Sequence, residues 1–310
     1  MTGAEQRRRR SSPSVLLLAG LLSSACGGAQ PAPINQDAAR PAAAVTPVTG
    51  EPGDSLAALR TKLRAGVTSS ELRLGAKGFG PELGVVLGET QSLSSISLLD
   101  VSDNDLGVEG ARALSRSPHL KALRELDLGG NDIGDDGAEA IARATSLSEL
   151  ETLNVSGNSI ASRGVSALSR GSLRRLVSLD LSMNGIGDEG VAALESAELP
   201  LKSLYLLGCE IGPSGAKRLA QAKRLSGLEV LALSGNNLGD EGAQALAKSG
   251  ALQNLQTLDL CANGIGEAGA LALAQSTRFK KLKVLELYGN EIGSRGSAAL
   301  RKRFGAGFHF

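Results

Sequence analysis

No tryptophan occurs in the 310 residues, and only two tyrosines and five phenylalanines do. With so few rings, a core of this size must be filled by leucine, isoleucine, valine and alanine, which suits a regular stack in which one small aliphatic slot recurs. The two histidines, His119 and His309, fall at distant points of the repeat order described below. They cannot share a metal site or a triad, which need His close to a partner group. No Gly-x-x-x-x-Gly-Lys-Ser/Thr loop is present to hold a nucleotide phosphate. A charge excess is missing too: 33 Lys and Arg stand against 32 Asp and Glu, so no basic field draws in nucleic acid.

Residues 1–25 read as a secretory leader, with four arginines at 7–10, an apolar stretch at 15–22 and small residues before Cys26. The apolar stretch is shorter than the roughly 20 residues that span a bilayer as a helix. Leu22-Ser-Ser-Ala-Cys26 resembles a bacterial lipoprotein signal, in which cleavage precedes a cysteine that becomes diacylated, although Ser23 stands where leucine is usual. The resemblance implies a lipid on Cys26, attachment to a membrane through it, and export to the cell envelope. The alternative is an ordinary signal peptide cut nearby, with Cys26 incidental. Cleavage would leave 29 basic against 31 acidic side chains. Residues 26–54 are rich in Ala, Pro, Gly and Thr and read as a flexible tether.

From residue 55 onward one motif returns again and again. It runs Leu123-Arg-Glu-Leu126-Asp-Leu128-Gly-Gly-Asn131-Asp-Ile133-Gly134, and recurs from Leu176 and from Leu255. Its asparagine position falls at Asn104, Asn131, Asn158, Asn184, Cys209, Asn236, Asn263 and Asn290, at intervals of 25 to 27 residues. A weaker copy around Leu72 and Leu74 precedes these. Alternation in Leu126-Asp127-Leu128 predicts a short strand with the leucines inward and Asp127 outward. The asparagine sits where the chain leaves the strand, and its amide can bond turn groups of its own and the neighbouring repeat, forming a ladder. Cys209 takes that place in the fifth repeat and reads as a buried structural thiol. Cys261 lies two repeats further on, roughly 10 Å away at sheet spacing. That is beyond disulfide reach, so two free thiols are expected.

Six residues past each ladder position a glycine recurs, from Gly110 to Gly296, followed by alanine-rich helical sequence. Asp135, Asp188, Asp240 and Ser294 suit the start of the helix they open, and Pro213 suits a first turn. Each unit is then strand, turn, helix and return. Strands stack about 4.8 Å apart and helices about 10 Å apart, so the stack curves with its strands inside. The expected fold is an α/β solenoid over residues 55–310, a horseshoe with parallel strands on the concave face and helices on the convex face. A helix at 55–66 covers a degenerate first unit, eight clear units follow, and 304–310 close the far end, with Phe308-His309-Phe310 as a shortened strand.

The 27-residue unit and the phrase Asn184-Gly-Ile-Gly-Asp-Glu-Gly190 resemble the ribonuclease-inhibitor class of leucine-rich repeats, which includes the Ran GTPase-activating proteins and the sensor ends of NOD-like receptors. The resemblance covers about residues 70–310 and implies binding of macromolecules across the concave face and its loops. The matching positions build the scaffold, so no ligand-binding residue carries over. The alternating two-type pattern of the inhibitor itself is not expected here. A GTPase regulator like the Ran activators is the second reading, and the leader argues against it because those activators act on a cytosolic GTPase.

Three strand positions per unit face the concavity. They are polar and acidic in the first half, with Asp100, Glu125, Asp127 and Asp180, and more apolar in the second. The second half presents Tyr205, Leu207, Val230, Ala232, Asp259, Cys261, Val284, Glu286 and Tyr288. An apolar strip with two amphipathic rings and a carboxylate edge suits an extended peptide or a partner helix carrying Lys or Arg. Asp100 with Asp103-Asn104-Asp105 looks like a calcium loop, but the strand and the ladder account for that spacing. The chain is expected to be a monomeric, non-enzymatic protein-binding scaffold with no catalytic residues, no metal and no cofactor.

Overall fold

The computed structural model describes Val48–Thr49 and residues 55–305. The leader, Cys26 and Phe308-His309-Phe310 lie outside the described residues. Ten parallel strands stack in sequence order in one open sheet. They are β1 (Val48–Thr49), β2 (Glu71–Arg73), β3 (Leu98–Asp100), β4 (Glu125–Asp127), β5 (Thr152–Asn154), β6 (Ser178–Asp180), β7 (Ser203–Tyr205), β8 (Val230–Ala232), β9 (Thr257–Asp259) and β10 (Val284–Glu286). The helices are α1 (Leu56–Ala65), α2 (Glu82–Gly88), α3 (Gly107–Ser115), α4 (Gly134–Arg143), α5 (Ser162–Arg170), α6 (Gly187–Glu195), α7 (Pro213–Gln221), α8 (Gly239–Ala247), α9 (Glu267–Gln275) and α10 (Gly293–Phe304).

The middle leucines of β2 to β10 are in register from strand to strand, from Leu72 against Leu99 to Leu258 against Leu285. They are at most 1% exposed and form the spine of one continuous aliphatic core. Each fully buried leucine contributes about 1.5–3 kcal/mol relative to exposure. Alanines and glycines on the inner helix faces let neighbouring helices approach closely: a Cβ on Gly84 would meet the Gly110 carbonyl. α1 covers the first unit with Leu59 and Leu63, and Ser55 caps it by accepting from the Ala58 N–H. β1 lies within the segment read as tether. Val48 pairs with Leu72 and Thr49 with Arg73, and this backbone pairing covers a sheet edge that would otherwise present unpaired groups.

A full rung of the asparagine ladder makes five side-chain bonds, as at Asn131, Asn184 and Asn236. Asn131 Oδ1 accepts from the Asn104 N–H at 3.1 Å and the Leu106 N–H at 3.2 Å of the preceding unit. Its Nδ2 donates to the carbonyls of Val101, Leu128 and Gly129. Asn158, Asn184, Asn236 and Asn290 each accept the same two amides from the unit before them. Cys209 and Asn263 do not. Cys209 donates its thiol to the Leu181 carbonyl at 3.2 Å, while Asn263 Oδ1 is buried with no partner.

Contrary to the expectation of uniform units, helix starts alternate. From the second unit on, α4, α6, α8 and α10 open on a left-handed glycine (Gly134, Gly187, Gly239, Gly293). α5, α7 and α9 open from an extended residue, Ala161, Gly212 or Gly266. The aspartates expected to cap their own helices instead cap the next one. Asp135 accepts from the Ala161 and Gly164 N–H groups, Asp188 from Gly212, and Asp240 from Gly266 and Gly269, all at 2.7–2.8 Å. The reason is geometric: a left-handed glycine turns a helix's own first amides away, whereas the extended entry of the next helix brings its orphan amides beside the aspartate.

Candidate partner-binding face

Register sets three rows across the concave face. The central row reads Arg73, Asp100, Asp127, Asn154, Asp180, Tyr205, Ala232, Asp259 and Glu286. Its carboxylates have a local job. Asp100 accepts from the Ser102 N–H and hydroxyl, Asp127 from the Gly129 N–H, Asp180 from Ser182 and Asp259 from Cys261 and the Ser234 hydroxyl. Asn154 does the same for Ser156. Each closes the turn that leaves its strand. The apparent calcium loop is absorbed in this way, because Asn104 is fully buried in the ladder. Among the described residues no group of three or more His, Cys, Asp or Glu could hold a metal ion, and no helix is long and apolar enough to cross a membrane.

The first half of the row is electrostatically uncomfortable. Burial raises the pKa of Asp127, and the charges of Asp100 and Asp180 add to it, against hydrogen bonds from Gly129 and Asn154. Burial also raises Asp180, opposed by its Ser182 bonds. In the first row, Glu125 is raised by burial and then by Glu71, with Arg73 pulling it down. Beyond Asp180 the central row changes character. Tyr205 is half-buried, and burial and the Asp180 charge push its hydroxyl up, against a hydrogen bond with Ser203.

The nine candidate residues of the second half occupy three rows. Val230 and Val284 share the first; Tyr205, Ala232, Asp259 and Glu286 the central one; Leu207, Cys261 and Tyr288 the third. Tyr205 and Tyr288 are thus offset across the face as well as separated by three strand steps. Tyr288 is 50% and Val284 38% exposed, while Leu207, Val230, Ala232, Asp259 and Glu286 are half-buried. Cys261 is a correction: at 1% exposure it offers nothing to a partner. Its row lies close to the turns, where neighbouring units cover a small side chain. Cys209 is equally enclosed, and burial pushes its thiol up to about 12. Neither Cys209 nor Cys261 is in a disulfide. His119 is half-buried in a return, its N–H bonded to the Ser117 hydroxyl.

The model described as "Leucine Rich repeat" matches seven segments, at 93–115, 119–142, 147–169, 173–194, 200–220, 227–247 and 251–274, about half of the chain. The chain belongs to the leucine-rich-repeat family. The matches fall on the units from β3 to α9, and leucine-rich repeats of this kind suggest a protein-binding scaffold. No curated protein matches the chain. What the sequence did not disclose was the pairing of Tyr205 with Asp180, which lie directly across from each other in register.

Proposed function

We propose that this leucine-rich-repeat protein is a non-enzymatic, lipid-anchored scaffold of a cell envelope that binds a protein or peptide on the concave face of its C-terminal half. The supporting observation is the change in surface after Asp180: large side chains, Val284 on β10 and Tyr288 in the turn just past it, stand exposed. Exposed aromatic residues beside half-buried aliphatic ones make good interface anchors. Asp259 and Glu286 border them and favour a partner carrying Lys or Arg. A pull-down with the chain identifies the ligand, and Tyr205→Ala and Tyr288→Ala are then compared with the parent. Truncating an anchoring tyrosine costs about 2 kcal/mol, or thirtyfold in affinity. If both variants fold and bind like the parent, the assignment is wrong. The anchor rests on the basic run, apolar stretch and Ser24-Ala25-Cys26. Intact mass of membrane-bound protein should show a chain beginning at a lipid-bearing Cys26; a retained leader or an unmodified cysteine would remove that part.

A further inference from the structure

The two rims of the solenoid carry opposite charge. The nine strand-to-helix turns between residues 74 and 292 hold five acidic side chains, all exposed, and one cation, Lys77 in the first of them. The nine helix-to-strand returns between residues 66 and 283 hold thirteen lysines and arginines and five glutamates. Four of those glutamates are paired, Glu149 with Arg175, Glu151 with Arg124, Glu198 with Arg174 and Glu229 with Lys202; the fifth, Glu89, follows α2 at the N-terminal end of the stack. Nine cations remain with no carboxylate among the described residues, including the exposed Arg116, Lys121, Lys223, Arg224, Lys248 and Lys280.

Helix dipoles explain part of this pattern, since helix N-termini lie at the acidic rim and C-termini at the basic one. That influence fades within a turn of the helix end. It does not account for Lys121 or Lys280, which lie six and five residues beyond α3 and α9. All ten strands are parallel and stacked in sequence order, so the returns follow one another along the single edge of the sheet where the strands begin. The unpaired cations fall in four returns, with Arg116 and Lys121 between α3 and β4 and the other seven between α7 and β10, and the first and last of these returns are six strand steps, roughly 30 Å, apart along the sheet. An extended anionic surface can meet both groups together, whereas a short acidic segment reaches only one of them. The chain also enters the domain on this rim: β1 is parallel to β2, and strands begin where the returns end.

We propose that the helix-to-strand rim is a docking surface for an anionic lipid bilayer, with the acidic turns directed away from it. Lysines and arginines near such a surface gain from its potential, and the opposite charge of the far rim resists the inverted orientation. This deepens the anchor reading by naming the side of the domain that faces the membrane. The test uses the full chain with Cys26→Ser, which cannot be acylated, so the two readings fail separately. Sedimentation with phosphatidylcholine vesicles, with and without phosphatidylglycerol, should show at least ~tenfold tighter binding to the anionic ones, lost as salt shortens the screening length to a few ångströms. Reversing Lys223, Arg224, Lys280 and Lys281 to glutamate should weaken that binding more than ~tenfold. Asp132→Lys with Glu210→Lys, on the other rim, should not weaken it. Equal binding to both vesicle types, salt-insensitive binding, or a reversal variant that binds like the parent overturns the proposal. Urea unfolding checks that the variants fold; should the reversal variant not fold, the salt and lipid dependence of the parent chain decide alone.

Discussion

In the first half of the stack, from Asn131 to Asn184, each ladder residue accepts two amides from the unit before it, and Asn104 at the start accepts one, from Phe79, while the second half is interrupted at Cys209 and again at Asn263. Side-chain identity does not explain the difference, since Asn263 has the right amide and still goes unmatched. The preceding turn does. Where the residue after the ladder position is left-handed, as at Asp105, Asp132, Ser159, Glu210 and Gly264, both amides of that turn reach the next rung. Gly185 and Asn237 are not left-handed. There the Ile186 N–H bonds to the Asn184 carbonyl and the Asn237 N–H to Ile211. A cysteine at 209 is tolerated because the turn before it asks for no acceptor.

The largest expected contrast follows. Asn131→Ala removes an acceptor for two buried amides and a donor to three carbonyls, and should cost about 1–3 kcal/mol. Asn263→Ala, which loses two donations and no acceptance, should cost less than half as much. Cysteine sharpens the comparison: Asn158→Cys should destabilise, and Asn263→Cys should come close to the parent. Urea unfolding followed by a probe in the mutated unit measures all four, because cooperativity across many units can weaken. Equal losses at 131 and 263 would refute the role of the preceding turn.

The crossed caps give the next effect. Asp240→Ala should cost about 1 kcal/mol, and the loss should appear at the start of α9, not of α8, which contains the residue. Amide exchange reads this directly: faster exchange at Gly266 and Gly269 is expected. Faster exchange confined to α8 would mean that the aspartate caps its own helix.

The strand positions, ladder sites and helix faces were legible because period and spacing encode them: Leu126 and Leu128 alternate, and Gly137 follows Asn131 by six. Partner assignment between units was not. Nothing local to Asp135 says that it caps α5, since Ala161 lies 26 residues away. Equally, Tyr205 reads as an isolated strand tyrosine until register sets it opposite Asp180. Cys261 was read as outward because its row alternates outward; its burial depends on how closely neighbouring units cover a side chain that small.

The smallest expected effect lies at the border between the two halves, on Asp180. Its folded-state pKa is raised above the ordinary carboxylate value, chiefly by burial. The folded chain therefore holds that proton more readily than the unfolded one, and stability falls as pH rises through the carboxylate range. The benefit is fully present only below the unfolded value, and it is gone once the pH exceeds the raised folded one. Asp180→Asn should remove this slope and leave the variant slightly more stable than the parent at neutral pH. The turn should survive, because Asn154 already closes the same turn through its Oδ1 in β5. Unfolding of parent and variant at pH 7 and at about pH 4, near the ordinary Asp value, gives the comparison. A variant that is less stable at pH 7 would mean that the Asp180 charge is held by a contact stronger than its two bonds to Ser182, and the acidic half would then be stabilised by its carboxylates and not burdened by them.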